Sequence, residues 1–405
     1  MGLAGVDVHN RFMTNTKRTE VLIAGAGIGG LAAALAGARQ GWAVTVAEQA
    51  AALSEVGAGV QLGPNATRRL HAWGLGEALG QVAFFPNRLQ SLDAHSGRVL
   101  GSLPLGERAT AQYGAPYATI HRADLHGLLH RAALAAGAQI RLGQAVTHWH
   151  EYAQGLDVGL ANGERIEAEA LVAADGVWSP LRQRLLADGS ARFSGHLAYR
   201  ALVPQADLPA HLRSDQVSVW MGPRLHVVQY PVQAGRSLNL VTIVQGERPE
   251  QANSWDHTGH GPALLSAMGA VAPALRERLE AVPEWRLWAL HDRSPMSAAS
   301  QMAQGRVALL GDAAHPMRPY LAQGAGMAIE DAQALAQCLS ATGTSMAERL
   351  QRYAEQRWAR NAQVQARAIR NGQIFHAQGA VALGRNWALR LMGERLMDQP
   401  WLYSA

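Results

Sequence analysis

Gly25, Gly27 and Gly30 stand in a G-x-G-x-x-G spacing directly after a short apolar run over residues 21–24. The spacing suits a phosphate-bearing ligand for three separate reasons. The first glycine permits a tight turn out of a strand, the second lets the backbone approach a pyrophosphate, and the third lets the following helix lie close to the strand. A second apolar run over residues 43–46 leads to Glu48. A carboxylate there can accept hydrogen bonds from both ribose hydroxyls while the helix N-terminus receives the phosphates. Glycines also mark ordinary turns, but strand, helix, strand and acid follow here in the order a dinucleotide site needs. Glu48 disfavours a 2′-phosphorylated ribose at this site, because phosphate would face carboxylate. It does not choose between NAD and FAD.

Further candidates are spread along the chain. The run EVGAGVQLGPNA over residues 55–66 carries clustered glycines, among them Gly59 beside Val60, and reads as a second ligand-contacting loop or as a surface loop with a helix cap. Arg122 opens an amphipathic helix whose apolar stripe is Leu125, Leu128, Leu129 and Leu134. A cation gains nothing from the dipole at that end, so a phosphate or ribose contact, or a salt bridge, accounts for it. Asp175 and Asp312 each follow a buried strand, at the edge where doubly wound sheets bind ligands. Gly324, Ala325 and Gly326 precede a long helix from Met327, and free amides at its start could meet an anion. In the strand-like run LHVVQYP, period-two geometry places His226, Val228 and Tyr230 on one face and Leu225, Val227 and Gln229 on the other. The first face offers an imidazole and a phenol; such residues also serve as hydrogen-bonded core or edge positions.

The elements that must hold these residues read as a doubly wound α/β unit up to about residue 190. Short strand-like pieces over 81–107 lie on a separate layer, and an Asn162-Gly163 hairpin joins two later strands. From about residue 197 to 245 the chain reads as an antiparallel sheet forming a second domain, and residues 342–405 read as helices without a chemical motif. The terminal aromatics Trp401 and Tyr403 either pack down or meet a partner. A length of 405 residues accommodates two or three domains. The net charge of +5 is scattered, with Lys17 the only lysine, which excludes a nucleic-acid stripe and suits an anionic substrate. Cys338 is the only cysteine and sits in an apolar helical run, so neither an intramolecular disulfide nor a thiolate metal cluster can form. The histidines show no HExxH spacing, and no metal site is expected. Residues 1–18 read as a loose tail rather than a signal peptide, and no charge-free apolar stretch reaches membrane-spanning length. A cytoplasmic protein, monomeric or homodimeric, is the expectation.

Three separated segments, GAGIGGLAAA at 25–34, ADGVWSPLR at 174–182 and GDAAHPMRPYLAQGAGMAIEDA at 311–332, together resemble the single-component FAD-dependent aromatic hydroxylases. The resemblance is nearest to the 3-hydroxybenzoate 6-hydroxylase pattern, through EVGAGVQLGP, HRADLH, GPRLHVVQYP and PYLAQGAGMAIEDA, with the salicylate hydroxylases beside it. It implies a Rossmann-like FAD-binding domain that is discontinuous (19–80, 103–189 and 286–345). Into this is inserted a mainly antiparallel-sheet substrate domain (81–102 and 190–285), and a helical C-terminal segment (346–405) follows. It implies tight non-covalent FAD, with NADH or NADPH and O2 as co-substrates. Glu48, Gly59, Val60, Arg122, Asp175, Asp312 and Gly324 to Gly326 then become cofactor contacts, and His226 and Tyr230 pocket residues, His226 activating the substrate phenol. The implied reaction hydroxylates a small anionic phenolic acid through a flavin C4a-hydroperoxide. The 3-hydroxybenzoate 6-hydroxylase pattern carries a glutamine before the tyrosine of the third segment; this chain has Pro319 there, between Arg318 and Tyr320, which remain pocket candidates. The alternatives are oxidative decarboxylation of salicylate type, hydroxylation of an N-heteroaromatic acid, a flavin-binding electron carrier or assembly partner, and, more distantly, a plain NAD-dependent dehydrogenase.

Overall fold

The computed structural model describes residues 19–53, 58–248 and 257–404. The expected tail at 1–18 and the start of the second glycine-rich segment, Glu55 to Gly57, lie outside them. Strand Thr19–Ala24 is the centre of the first sheet. It pairs in parallel with Val44–Ala47 on one side and with Arg165–Ala173 on the other. Gln139–Arg141 and Val307–Leu309 extend these parallel pairings outward. Val21 to Ala24 are buried, as a parallel strand covered on both faces must be. Helix Ile28–Arg39 is apolar nearly all round because it lies between the sheet and two further helices, Arg122–Ala135 and Gly324–Leu339. A Cβ placed on Gly29 would come within 3.3 Å of the Ala328 Cβ, so the crossing with Gly324–Leu339 needs small residues. In helix Arg122–Ala135 the buried stripe is Leu125, Leu128 and Leu129. Leu134, read as part of that stripe, is 46% exposed, because nine residues of helical rotation carry it to the face opposite Leu125, while Ala133 beside it stays buried.

The second sheet has eight strands in the spatial order His257–Gly259, Trp285–Asp292, Arg192–Pro204, Ser237–Gln245, Leu225–Val232, Val217–Gly222, Arg88–Asp93 and Val99–Pro104. All neighbours are antiparallel except Val217–Gly222 with Arg88–Asp93. The boundary expected at 286 therefore needs correction. It falls inside strand Trp285–Asp292, which belongs whole to this second sheet and returns the chain to the first one only after it. Likewise the early insertion runs to Pro104, since Val99–Pro104 forms the sheet edge.

One face of this sheet buries Leu225, Val227, Leu238, Leu240 and Val244 under helices Gly261–Met268 and Pro273–Glu280. Alternation sends His226, Val228, Tyr230, Val241 and Ile243 to the other face, toward the first domain. The two domains meet there. Thr119 Oγ1, in the two-stranded pair Gly59–Leu62 with Ala118–His121, donates to the Pro231 carbonyl at 2.5 Å.

The C-terminal helices are part of this junction. Helix Met346–Phe375 starts at a capping box between Ser345 and Glu348. It is stapled to helix Gly324–Leu339 by buried ion pairs from Arg357 to Glu330 (2.8 Å) and Asp331 (2.7 Å). Helix Gly379–Met397 covers strand Val99–Pro104, and Tyr403 sets its ring edge against Tyr113 at 5.4 Å. Among the described residues no helix is long and apolar enough to cross a membrane.

Candidate functional site

A cavity of ≈ 280 Å³ runs from the glycine-rich turn to the inward face of the second sheet. At its first end the three glycines have different surroundings. Gly25 has φ of +101°, and a Cβ on it would lie 2.5 Å from the Ala174 carbonyl oxygen. A Cβ on Gly30 would lie 1.9 Å from the Gly25 carbonyl oxygen. A Cβ on Gly27 would meet nothing within 4 Å, and Gly27 lines the cavity. The turn is thus closed behind two glycines and open in front of the third. Glu48 stands beside it, its carboxylate accepting from the Ala26 N–H at 2.7 Å and the Ala50 N–H at 2.8 Å.

The middle of the cavity is lined by Gly59, Val60, Gln61, Arg122, Asp312, Gly324 and Ala325. Gly59 donates its N–H to Asn239 Oδ1 at 2.7 Å, and a Cβ there would collide with the Tyr230 ring at 2.6 Å. Helix Gly324–Leu339 begins at Gln323 with no side-chain cap, so the amides of its first turn stay available. Gly326 instead faces inward, toward Gln323 and Asn65. Asp312 lines the cavity and is exposed there, and the protein packed around it pushes its pKa up against the opposing charges of Arg122 and His315. Asp175 is half-buried. Its neighbours Ala174 and Gly176 line the cavity, while burial raises the Asp175 carboxyl.

The far end is made by the second sheet. His226 is fully buried and lines the cavity; its Nδ1 is 2.7 Å from Nε2 of His376, and its own Nε2 has no partner among the described residues. Burial pushes the His226 imidazole well below its usual pKa, and His376 and His196 push the same way. Tyr230 is also buried, which raises its phenol well above the usual range despite Arg200 and Gln61. Arg200 lines the cavity with its guanidinium stacked 4.0 Å over the Trp288 ring; burial pushes it down to about 10, so it stays charged at neutral pH. Pro319 lines the cavity, but its two neighbours do not. Arg318 turns away to bond Asp292 at 2.5 Å, and Tyr320 packs edge-on against the His226 ring at 5.1 Å.

His226, Tyr230, Gly27, Gly59, Val60, Arg122, Asp312, Gly324 and Ala325 are therefore brought to one cavity, and Gly25, Gly30 and Gly326 shape its walls. Arg200, His376, Gln61 and Asn239 were not singled out from the sequence. Arg200 carries a usable signal, an arginine within the locally apolar run LAYRALV. His376 carries none, because a helix end far along the chain gives no hint of the strand it meets.

A family model described as an FAD binding domain matches residues 18–368. The chain is 39% identical over 388 residues to 3-hydroxybenzoate 6-hydroxylase of Polaromonas naphthalenivorans (strain CJ2), covering 95% of each chain. It is 40% identical over 376 residues to 3-hydroxybenzoate 6-hydroxylase 1 of Aquipseudomonas alcaligenes, covering 92% of this chain and 93% of that one. Among solved structures, a salicylate hydroxylase substrate complex superposes with a TM-score of 0.81 at 26% identity, covering 96% of both chains. The chain belongs to the single-component FAD-dependent aromatic hydroxylase family and is a flavin-dependent aromatic monooxygenase. Its own geometry fits that cofactor. The open face of Gly27 leaves room for a pyrophosphate, and the uncapped amides before Met327 suit the electron-rich edge of a flavin.

Proposed function

We propose that the chain hydroxylates a phenolic aromatic acid, 3-hydroxybenzoate being the first candidate, and that His226 takes the phenol proton. One observation carries the reading: a fully buried imidazole faces the cavity with Nε2 unpartnered and no carboxylate bonded to it. Bound FAD supplies electron transfer from NADH or NADPH and activation of O2. The residues that would hold it are Gly25, Gly27, Gly30, Glu48, Gly59, Val60, Arg122, Asp175, Asp312 and the helix start at Gly324 to Gly326. Oxygen transfer to an aromatic ring is faster when the ring is electron-rich, so removal of the phenol proton is the step this chain must assist. Burial and the neighbouring imidazoles favour neutral His226, so it carries no extra proton before the substrate binds. Burial keeps Tyr230 protonated, hence able to donate to the phenolate that results. Arg200 supplies a positive charge to an anionic ring system. The domain junction encloses the reacting ring and excludes water.

The test is a panel of phenolic and N-heteroaromatic acids given to the FAD-loaded chain, with NAD(P)H oxidation, hydrogen peroxide, CO2 and product mass followed together. Expected is a product heavier than a hydroxybenzoate by one oxygen, with its carboxylate retained. Release of CO2 would assign oxidative decarboxylation instead, and turnover of N-heteroaromatic acids alone would move the substrate class.

A further inference from the structure

His226 does not stand alone. The tail helix Met346–Phe375 ends at His376, which crosses from the first domain to the inward face of the second sheet. His376 is 5% exposed and its Nε2 lies 2.7 Å from His226 Nδ1. Two neutral imidazoles at that distance share one hydrogen, so the tautomer of each dictates that of the other. With Nδ1–H of His226 donating, its Nε2 is a bare acceptor on a side chain that lines the cavity; with the reverse tautomer, Nε2 carries a proton and cannot accept another.

The groups facing the pair come from every neighbouring element. His196, from strand Arg192–Pro204, sets its ring 5.0 Å from His376. Tyr320 and Phe375 set ring edges against His226 at 5.1 Å and 5.4 Å. Arg385, from helix Gly379–Met397, binds the Ile374 and Phe375 carbonyls at 3.0 Å and 2.7 Å. The backbone N–H of Arg224 holds the His376 carbonyl at 3.1 Å. Asp292, the acid near this group, is paired with Arg318. Burial, His196 and Arg385 hold His376 down to about 3, so it stays an uncharged acceptor.

We propose that His376 is a positioning residue for the reaction, accepting Nδ1–H of His226 so that Nε2 is presented bare to the substrate phenol. The inference rests on the reading of His226 as the base. As the phenol O–H breaks, its proton forms the Nε2–H bond of His226. The substrate gains one negative charge and His226 one positive charge, and the bond from Nδ1–H to His376 becomes charge-assisted. Its role is felt in the ionisation of the phenol, not in the flavin.

The test uses the FAD-loaded oxidised chain and 3-hydroxybenzoate as probe, with the ultraviolet spectrum of the bound phenol titrated against pH. His376→Ala should move ionisation of the bound phenol to higher pH by about one unit, a tenfold fall in the phenolate fraction, the size of one hydrogen bond to a charged group. The acid limb of the product-formation profile should move the same way. His376→Gln, whose carbonyl oxygen can accept Nδ1–H, should restore both, and it carries the test alone if the alanine variant fails to retain FAD. His226→Ala runs in parallel. If His226→Ala moves the phenol titration and neither His376 variant does, or if His376→Gln behaves as His376→Ala while FAD content is normal, the positioning role is wrong. If His226→Ala also leaves the titration unmoved, the reading of His226 as base fails instead.

Discussion

Two buried histidines in this molecule have opposite surroundings. His315 is 1% exposed, and its Nε2 lies 2.5 Å from Asp331 Oδ2. Asp331 in turn accepts from Arg357 and from Asn361 at 2.9 Å. Burial alone would raise the Asp331 carboxyl, but the charges of His315 and Arg357 outweigh it and hold it below the usual carboxylate range. His226 is buried as deeply, and each ring has one nitrogen without a partner among the described residues, yet the partner of His226 is another imidazole rather than an acid. Burial is common to both, so burial does not mark the reactive one. What separates them is the carboxylate: His315 is held against Asp331, which Arg357 in turn ties to the tail helix, whereas His226 has no acid bonded to it and burial keeps it neutral.

The largest effect should come from breaking the stapled side. Arg357→Ala leaves Glu330 and Asp331 buried beside one fewer cation. Loss of about 3–5 kcal/mol of stability is expected in denaturant unfolding, with activity falling only as far as the folded fraction falls. A loss under about 1 kcal/mol would mean that the staple is ornamental. On the reactive side, His226→Ala should leave FAD content and melting temperature near the parent values. Product formation should fall roughly 100-fold or more, the usual size of a general-base contribution, while NAD(P)H consumption continues into hydrogen peroxide. Unchanged coupled product would remove His226 from the chemistry.

A smaller effect sharpens the same contrast at the glycine turn. Gly27 has φ of −69°, and a Cβ there meets nothing. Gly27→Ala should therefore change apoprotein stability by less than about 0.5 kcal/mol yet weaken FAD about tenfold, or about 1.4 kcal/mol, by titration calorimetry. Gly30→Ala, whose Cβ would strike the Gly25 carbonyl, should cost stability first.

The last effect is in pH dependence. A histidine held down to about 3 in the fold and near about 6.5 when unfolded is protonated preferentially in the unfolded chain between those values. Stability should therefore decline as pH falls through that window, and His376→Gln should flatten the decline by up to about 1.4 kcal/mol per pH unit. Asp331 acts at a more acid range. Its lowered pKa stabilises the fold above the usual carboxylate value, and that contribution fades as pH drops toward the folded value. An unaltered slope in His376→Gln would mean that His376 is already charged in the fold.

The residues legible in the sequence are those whose partners are near in the chain or fixed by one period. The turn from Gly25 to Gly30 needs only its own strand and helix. The face shared by His226, Val228 and Tyr230 follows from alternation along a single strand. The boundary expected at 286 cuts strand Trp285–Asp292 because the place of a strand in a sheet depends on its pairing, and its partner Arg192–Pro204 lies far earlier in the chain. His376 was missed for a stronger form of the same reason. It lies at the end of a polar helix, 150 positions from the imidazole it bonds. Arg318 and Tyr320 flank Pro319 in a segment without a repeating period, so which of the three faces the cavity is decided only by the folded loop.

The most direct measurement is oxygen-isotope incorporation by the FAD-loaded chain given 3-hydroxybenzoate, NAD(P)H and ¹⁸O2. A dihydroxybenzoate carrying a single ¹⁸O atom is expected, formed in step with nicotinamide oxidation. Nicotinamide oxidation whose electrons all appear as hydrogen peroxide, with no labelled product from any phenolic acid of the panel, would contradict hydroxylation at this site.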